Sequence, residues 1–580
     1  MNKNLSKIKT FNIQNSAFKI FVFFAYIILA KNASGQSTNY DRNSPAWRLM
    51  ERLEIKSGNL NNQLFLDGGP VTRLNWQQYI DSNYYLTKDD PSLSQSNIFN
   101  GRLTKADEYW LDYTNSDNLP WGDSLRAKSK KPTLKHFYKT KANLLEAHTK
   151  DFDVFINPVL AFGYGRETIS DDYTFRNTRG VEIRGQISDK LGFYSFIAEN
   201  QVGFPTYIEQ NIAANGVVPS EGLWKPFKKK YYDFLTSRAY ITFSPIKHIN
   251  VQFGNDKNFI GSGFRSFLLS DFAKDYLHLK INTRVWRFQY QNIFAEMTNY
   301  QRLAKPYPKK YAALHYLTFD AAKWLNFGVF EGIMFYDNQN TGRGFDFNYL
   351  NPVMFYRTAE HNVGSADNAL LGANMNVLVA KRVKLYGQLN LDEFVLEEYR
   401  NNRNWWANKY AVQAGFKWID FLGLPNVDLQ SEFNLVRPFT YSTDTIAKAY
   451  EHFHQPLAHP MGANLRELVT IININTYAPL NIQFKYIINQ QGLDSGKTNF
   501  GSNIFIDNRK RSGPYGHNLL QGLKTTTTFA ELTASYLLRH NLFIDANVLF
   551  RTQKNDVITQ NTTFYGLGLR LNFTQPDYTF

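Results

Sequence analysis

Two stretches set aromatic rings beside cations: Phe204, Tyr207, Trp224, Lys228, Lys229 and Lys230 in one, Arg403, Trp405 and Trp406 in the other. Aromatic faces pack on the apolar faces of sugar rings, while lysine and arginine pair with uronate or phosphate oxygens. Seven of these nine, with Arg437, Tyr441, His452 and His454, form a candidate polysaccharide-binding set of eleven residues: Trp224, Lys228, Lys229, Lys230, Arg403, Trp405, Trp406, Arg437, Tyr441, His452 and His454. Interfacial aromatics and solvated charge account for the same residue types equally well.

Other chemistries fare worse. His452, His454 and His459 cluster near Glu451 and could offer imidazole nitrogens to a metal, but an ordered polar loop explains them more simply, and neither metal nor cofactor is expected. Gly496-Lys497-Thr498 suggests a phosphate loop, yet that motif needs a second glycine five residues earlier, where Gln491 stands. Ser431 and His315 are candidates for a hydrolase, but nothing in their spacing brings them together with an orienting partner. The chain has no cysteine, which removes disulfides, thiolate metal sites, a cysteine nucleophile and a lipidated N-terminal cysteine. The expectation is a protein that is not an enzyme.

Those loops must be carried by something, and the chain is written with a period of two. Tyr565, Leu567, Leu569, Leu571 and Phe573 fall on one face; Phe564, Gly566, Gly568, Arg570 and Asn572 fall on the other. Such a strand has one oily and one wet surface. Lys3, Lys7, Lys9 and Lys19, the apolar run from Ile20 to Ala30 and the small residues Ala33, Ser34 and Gly35 predict a signal peptide cut after Gly35. No later window supplies the roughly 20 apolar residues of a spanning helix, so membrane insertion must be by strands. A mean hydropathy of -0.42 is compatible with this, because a barrel gives lipid only alternate residues. The 47 Phe and 35 Tyr suit interfacial girdles, although a compositional bias toward Phe, Tyr, Asn and Lys contributes to them. Net charge falls from +15 to +10 without the first 35 residues, leaving 60 basic against 50 acidic side chains. That sign fits acidic polysaccharide, lipid phosphate or nucleic acid alike; for an exported chain no nucleic-acid partner is expected.

Residues 36–150 read as a small helical domain, lying in the periplasm or plugging the lumen. Ser44 and Pro45 start a helix through Ala46, Leu49, Met50 and Leu53 that Gly58 stops; Thr104 to Asp107 caps a second around Tyr109, Trp110 and Tyr113; residues 140–148 make a third. Residues 151–580 read as strands at 152–165, 173–187, 191–202, 233–244, 247–256, 276–283, 285–297, 310–320, 323–336, 367–379, 383–395, 409–419, 425–437, 466–477, 479–490, 525–538, 541–553 and 562–573. Tight joints at 188–190, 245–246, 321–322, 381–382, 420–424, 478 and 539–540 alternate with longer ones. An even count of about 18 with short joints at one end predicts an all-β transmembrane fold, an antiparallel outer-membrane β-barrel. A soluble all-β protein or a β-solenoid also alternates residues, but no fixed repeat period occurs.

Several stretches then carry a resemblance: 49–55 (LMERLEI), 260–271 (IGSGFRSFLLSD), 349–353 (YLNPV), 367–371 (DNALL), 432–441 (EFNLVRPFTY) and 456–467 (PLAHPMGANLRE). They resemble the capsule-assembly Wzi family, and within it the RemB-like branch of gliding bacteria. The resemblance implies an 18-stranded outer-membrane barrel with an N-terminal helical domain, acting without catalysis as a lectin that attaches capsular or surface polysaccharide to the cell. For the RemB-like branch it implies a role in motility or adhesion with gliding or secretion machinery as partner. Most matched stretches fall in connections expected to be external. Residues 203–232 and 491–524 match nothing in the family, and a barrel of this size could also serve as a channel.

Overall fold

The computed structural model describes residues 37–85, 99, 102–170, 172–188, 190–302, 305–336, 344–352, 355–356, 367–496 and 498–580; the expected signal peptide lies outside them. Eighteen antiparallel strands form one closed barrel: β1 (Phe152–Glu167), β2 (Tyr173–Ile187), β3 (Leu191–Gly203), β4 (Tyr231–Ile246), β5 (Ile249–Asp256), β6 (Tyr276–Val285), β7 (Phe288–Thr298), β8 (Lys309–Ala322), β9 (Leu325–Tyr336), β10 (Asn368–Val379), β11 (Val383–Glu393), β12 (Lys409–Trp418), β13 (Val427–Val436), β14 (Leu465–Ile474), β15 (Leu480–Leu493), β16 (Leu523–Arg539), β17 (Leu542–Lys554) and β18 (Thr559–Leu571). Each pairs with its sequence neighbours. The seam is made by β1 and β18, from Leu160 opposite Leu571 to Glu167 opposite Phe564.

The alternation seen in the sequence sorts the two faces. Phe162, Tyr164, Tyr565, Leu567 and Leu569 are exposed on the outside, whereas Phe155, Asn157, Val159 and Ala161 of β1 point inward and are buried. Phe573 departs from its expected face. The strand ends at Leu571, Asn572 takes a left-handed turn (φ 50), and Phe573 is buried against Val159, Ala161 and Phe196. Residues 574–580 then run back inside the barrel, where Lys485 donates to Asp577 Oδ2 at 2.5 Å and Arg265 to the Thr579 carbonyl at 2.6 Å.

The N-terminal helices close the short-turn mouth. Helix α1 (Pro45–Ser57) is capped by Ser44, begins with Pro45 and ends at Gly58 (φ 69), as its sequence predicts. Helix α2 (Arg73–Ile80), capped by Thr72, was not legible; α3 (Lys105–Asp117) has the expected Thr104/Asp107 capping box. The helix expected at 140–148 does not form. Its second half is an edge strand, Leu145–His148, opposite Asp153 to Ile156 of β1. Strand β18 reaches β1 only from Leu160 onward, so the first half of β1 would otherwise present unpaired N–H and C=O groups, and the segment satisfies them.

Buried charges tie these helices to the wall. Arg52 of α1 pairs with Asp107 of α3 (2.7 Å) and with Asp420 and Asp428 of the barrel; Lys56 pairs with Asp107, and Lys384 of β11 donates to Glu54 at 2.8 Å. Trp110 donates to Asn475 at 2.6 Å, and Asp117 meets His540 at 2.9 Å. Burial would raise the Asp107 and Asp420 carboxyls; the Arg52 guanidinium, the Lys56 ammonium and the hydrogen bonds each accepts together outweigh it and hold both below the usual range.

Replacing Arg52 with Ala takes the paired cation from Asp428 and leaves Asp107 and Asp420 with Lys56 alone, and should weaken helix docking by about 3–5 kcal/mol, read as faster proteolysis of residues 36–118 in detergent-solubilised protein. With depressed folded pKa values, docking contributes fully above the unfolded value of about 3.9 and fades as pH falls through the lower folded values. Wild-type protease resistance should therefore hold from neutral pH to about 4 and decline below it.

Candidate functional site

Five of the long connections at the mouth opposite the helices, residues 204–230, 257–275, 394–408, 437–464 and 494–522, carry the candidates and their supports, and one of them is internal. The matched stretch 260–271, expected outside, folds into the lumen because the inner wall satisfies its backbone. Gln388 accepts from Phe267 N (2.8 Å) and donates to the Ile260 carbonyl (3.0 Å), while Glu432 accepts from Phe264 N (2.7 Å) and Arg265 N (3.1 Å). The Arg265 guanidinium grips Glu467 of β14 at 2.9 and 3.1 Å. Ile260, Phe267, Leu268 and Leu269 join Leu314, Phe330, Tyr441 and Leu457 in the largest apolar cluster among the described residues, packed on the inner wall between β6 and β14. Cavities of about 330 and 460 Å³ lie beside it, both bordered by Arg42 and residues 574–577.

Tyr441, His452 and His454 hold this assembly together. Tyr441 is buried, donates through its hydroxyl to the Phe267 carbonyl (2.9 Å) and has its own N–H bound by Asp392 (2.7 Å). His452 Nδ1 accepts from Thr298 N (3.1 Å), leaving the proton on Nε2, which faces the Asp275 carbonyl at 3.3 Å; burial pushes this imidazole down to about 3, so it is neutral. His454 Nδ1 lies 2.9 Å from the carbonyl of Asn215, and His459 Nε2 donates to Glu467 at 3.0 Å. The three rings thus serve separate partners, and among the described residues no group of three or more metal-capable His, Asp or Glu side chains converges. Ser431 Oγ donates to the Val469 carbonyl (3.3 Å) and His315 contacts Tyr356; the two do not meet. The stretch at Gly496 has Lys497 outside the described residues, and it lies in the connection between two strands, not between a strand and a helix.

The rim brings four candidates together. Arg403, Trp405 and Trp406 lie on the β11–β12 connection, which is stitched to the β15–β16 connection by backbone bonds: Trp406 N to Pro514 O, Gly516 N to Arg403 O and His517 N to Asn404 O, each 3.0 Å. Arg437 supports this shelf from below, donating to the carbonyls of Trp405 and Asn408 at 3.3 Å. Arg403 stacks 4.0 Å above the Tyr515 ring and donates to its hydroxyl at 2.9 Å; Arg511 lies 3.7 Å above Trp406. Tyr515 in turn donates to Glu398 at 3.2 Å. Sequence reading missed Arg511, Tyr515 and Glu398. Their only signal was the basic run at 509–511 followed by an aromatic, about a hundred residues from the tryptophans.

Trp224 and the lysines form a separate group. Lys225–Phe227 pairs with Tyr231 to Asp233, so Lys228, Lys229 and Lys230 ride on an exposed hairpin turn, with Lys228 and Lys229 left-handed (φ 46 and 63). Trp224 packs edge-on against Tyr232 at 4.7 Å, and Lys230 pairs with Asp172.

The architecture has solved counterparts. The chain is similar to Wzi of Escherichia coli, described as an outer-membrane protein involved in group 1 capsule assembly and a carbohydrate-binding β-barrel, with 12% identity, a TM-score of 0.52, 94% of this chain and 100% of that one. It is more distantly similar to OprD and OpdK of Pseudomonas aeruginosa, at 10% and 9% identity, TM-scores of 0.39 and 0.42, 72% of this chain and 93% and 98% of theirs. No family model matches, and no curated protein matches by sequence. At such identities the likeness establishes an outer-membrane barrel fold; the RemB-like branch gains no support from it.

The packed lumen should pass no sustained ion current in planar bilayers. Arg265→Ala removes the ion pair between the inner loop and β14, leaving Glu467 buried with His459, a loss of about 3–5 kcal/mol where a charge is left buried, and should convert a silent trace into brief openings.

Proposed function

We propose that this chain is a non-catalytic outer-membrane anchor for capsular or surface polysaccharide, exported by its cleaved N-terminal signal. Wzi offers a precedent of the same fold, with its described carbohydrate binding and capsule-assembly role. The observation that carries the reading is the stitched shelf of Arg403, Trp405, Trp406, Arg511 and Tyr515, standing over a filled lumen. Rings and guanidinium groups are presented together there, and a backbone fixed by two loops limits the ordering that binding a flexible glycan must pay for. Sugar C–H faces stack on the rings, and uronate or pyruvate carboxylates pair with Arg403 and Arg511. Trp224 with Lys228, Lys229 and Lys230 supplies a second, electrostatic contact, where an extended acidic chain gains from reaching both. Tyr441, His452 and Arg437 act by positioning, since their polar atoms are engaged within the protein.

A glycan array probed with the folded, detergent-solubilised protein tests this directly. Trp406→Ala and Arg403→Ala should each weaken binding about tenfold, near 1.4 kcal/mol. Reversing Lys228, Lys229 and Lys230 to Glu should weaken acidic glycans only, with a flatter salt dependence. Wild-type protein that captures no surface glycan, or that instead retains motility or secretion components in a pull-down, would overturn the proposal.

A further inference from the structure

The short-turn end carries a charge pattern that neither the barrel nor the rim shelf requires. From Arg126 to Lys150 the chain holds Lys128, Lys130, Lys131, Lys135, Lys139, Lys141 and Lys150, all exposed, against a single acid, Glu146. Glu146 is engaged by the Thr140 hydroxyl at 2.6 Å, and among the described residues none of these lysines forms an ion pair. The segment is folded: Ser129 N donates to the Lys139 carbonyl (3.0 Å) and Lys141 N to the Ala127 carbonyl (2.9 Å), which orders the backbone that carries the cations.

Its location is set by the edge strand. Opposed residues of an antiparallel pair share a face, so Leu145 opposite Ile156 and Ala147 opposite Val154 extend the lipid-facing side of β1. Phe152 and Ile187 lie alongside at 40% and 47% exposure, and Leu125 and Leu134 protrude at 73% each. Around the same mouth the tight turns expose Lys247, Lys323, Lys381, Arg382 and Arg539, interleaved with Trp286 and Trp324 at 67% and 50% exposure. Exposed tryptophans mark the membrane–water boundary, and the lysines therefore stand at headgroup height, on the periplasmic side where barrels keep their short turns.

We infer that residues 125–150 and this basic collar form a binding surface for anionic phospholipid headgroups of the periplasmic leaflet. Ammonium groups pair with headgroup phosphates, the exposed leucines enter the acyl boundary, and the greasy wall continues onto the segment without a break. This continuity favours lipid over an acidic periplasmic protein, which would need no exposed leucines beside the apolar belt.

The absence of cysteine makes the test clean. Lys135→Cys in the full chain, labelled with a polarity-sensitive dye, is placed in nanodiscs of phosphatidylcholine alone or mixed with phosphatidylglycerol; Ser512→Cys on an external loop reports folding. The Lys135 dye should shift to the blue and lose acrylamide quenching about threefold only with phosphatidylglycerol, reverting in high salt. Exchanging Lys128, Lys130, Lys131 and Lys139 for Glu should abolish the shift while the Ser512 signal stays unchanged. Equal signals in both lipids, or a shift indifferent to salt, would overturn the inference, and an acidic protein partner predicts that outcome.

Discussion

Everything in this molecule follows from the backbone hydrogen bonds that lipid cannot satisfy. A strand facing acyl chains must pair on both edges, so eighteen strands succeed only if the last meets the first. The meeting of β18 with β1 over Leu160 to Glu167 is that condition, and the edge strand Leu145–His148 is its corollary, covering the part of β1 that β18 does not reach. Sequence follows the same constraint: with both edges committed, only faces remain to be chosen, and Phe, Tyr and Leu alternate outward with Gly, Asn, Thr and charge inward.

Closure creates an interior that must be filled. The wall offers polar side chains such as Gln388, Glu432 and Glu467, and the chain supplies partners from three directions: helices from the short-turn mouth, the 260–271 stretch from the other, and residues 574–580 from the end of β18. Arg265 joins two of these, gripping Glu467 and the Thr579 carbonyl at once. Buried charge that would be costly alone is tolerated because each group is paired and hydrogen-bonded. At the rim the stitched loops around Trp406 and Arg511 present rings and cations together, held from below by Arg437 and Phe439.

The strands were legible because period two survives over ten or more residues; the 310–320 and 525–538 expectations became Lys309–Ala322 and Leu523–Arg539, errors of one or two residues at ends that no side chain marks. Helix α1 was legible from Ser44, Pro45 and Gly58, whereas α2 offers a Thr72 cap and only two turns. The failure at 140–148 has a different cause: helical spacing there was overridden by an open strand edge distant from it in kind, though near in sequence. The shelf was half visible. Trp405 and Trp406 announce themselves, but Arg511 and Tyr515 join them only through loop-to-loop backbone bonds that no local pattern encodes, and the inward turn of 260–271 depends on acceptors scattered over β11, β13 and β14.

Closure itself can be measured. Gly163 and Gly568 face each other across the seam, and a Cβ added at either meets no atom closer than 3.2 Å. In a chain without native cysteine, Gly163→Cys combined with Gly568→Cys should form an intramolecular disulfide in membrane-inserted protein, while Gly163→Cys with Asn547→Cys, one strand further on, should not. A sheet that is open at these edges would leave the first pair unbridged or link it between chains, and would contradict the account.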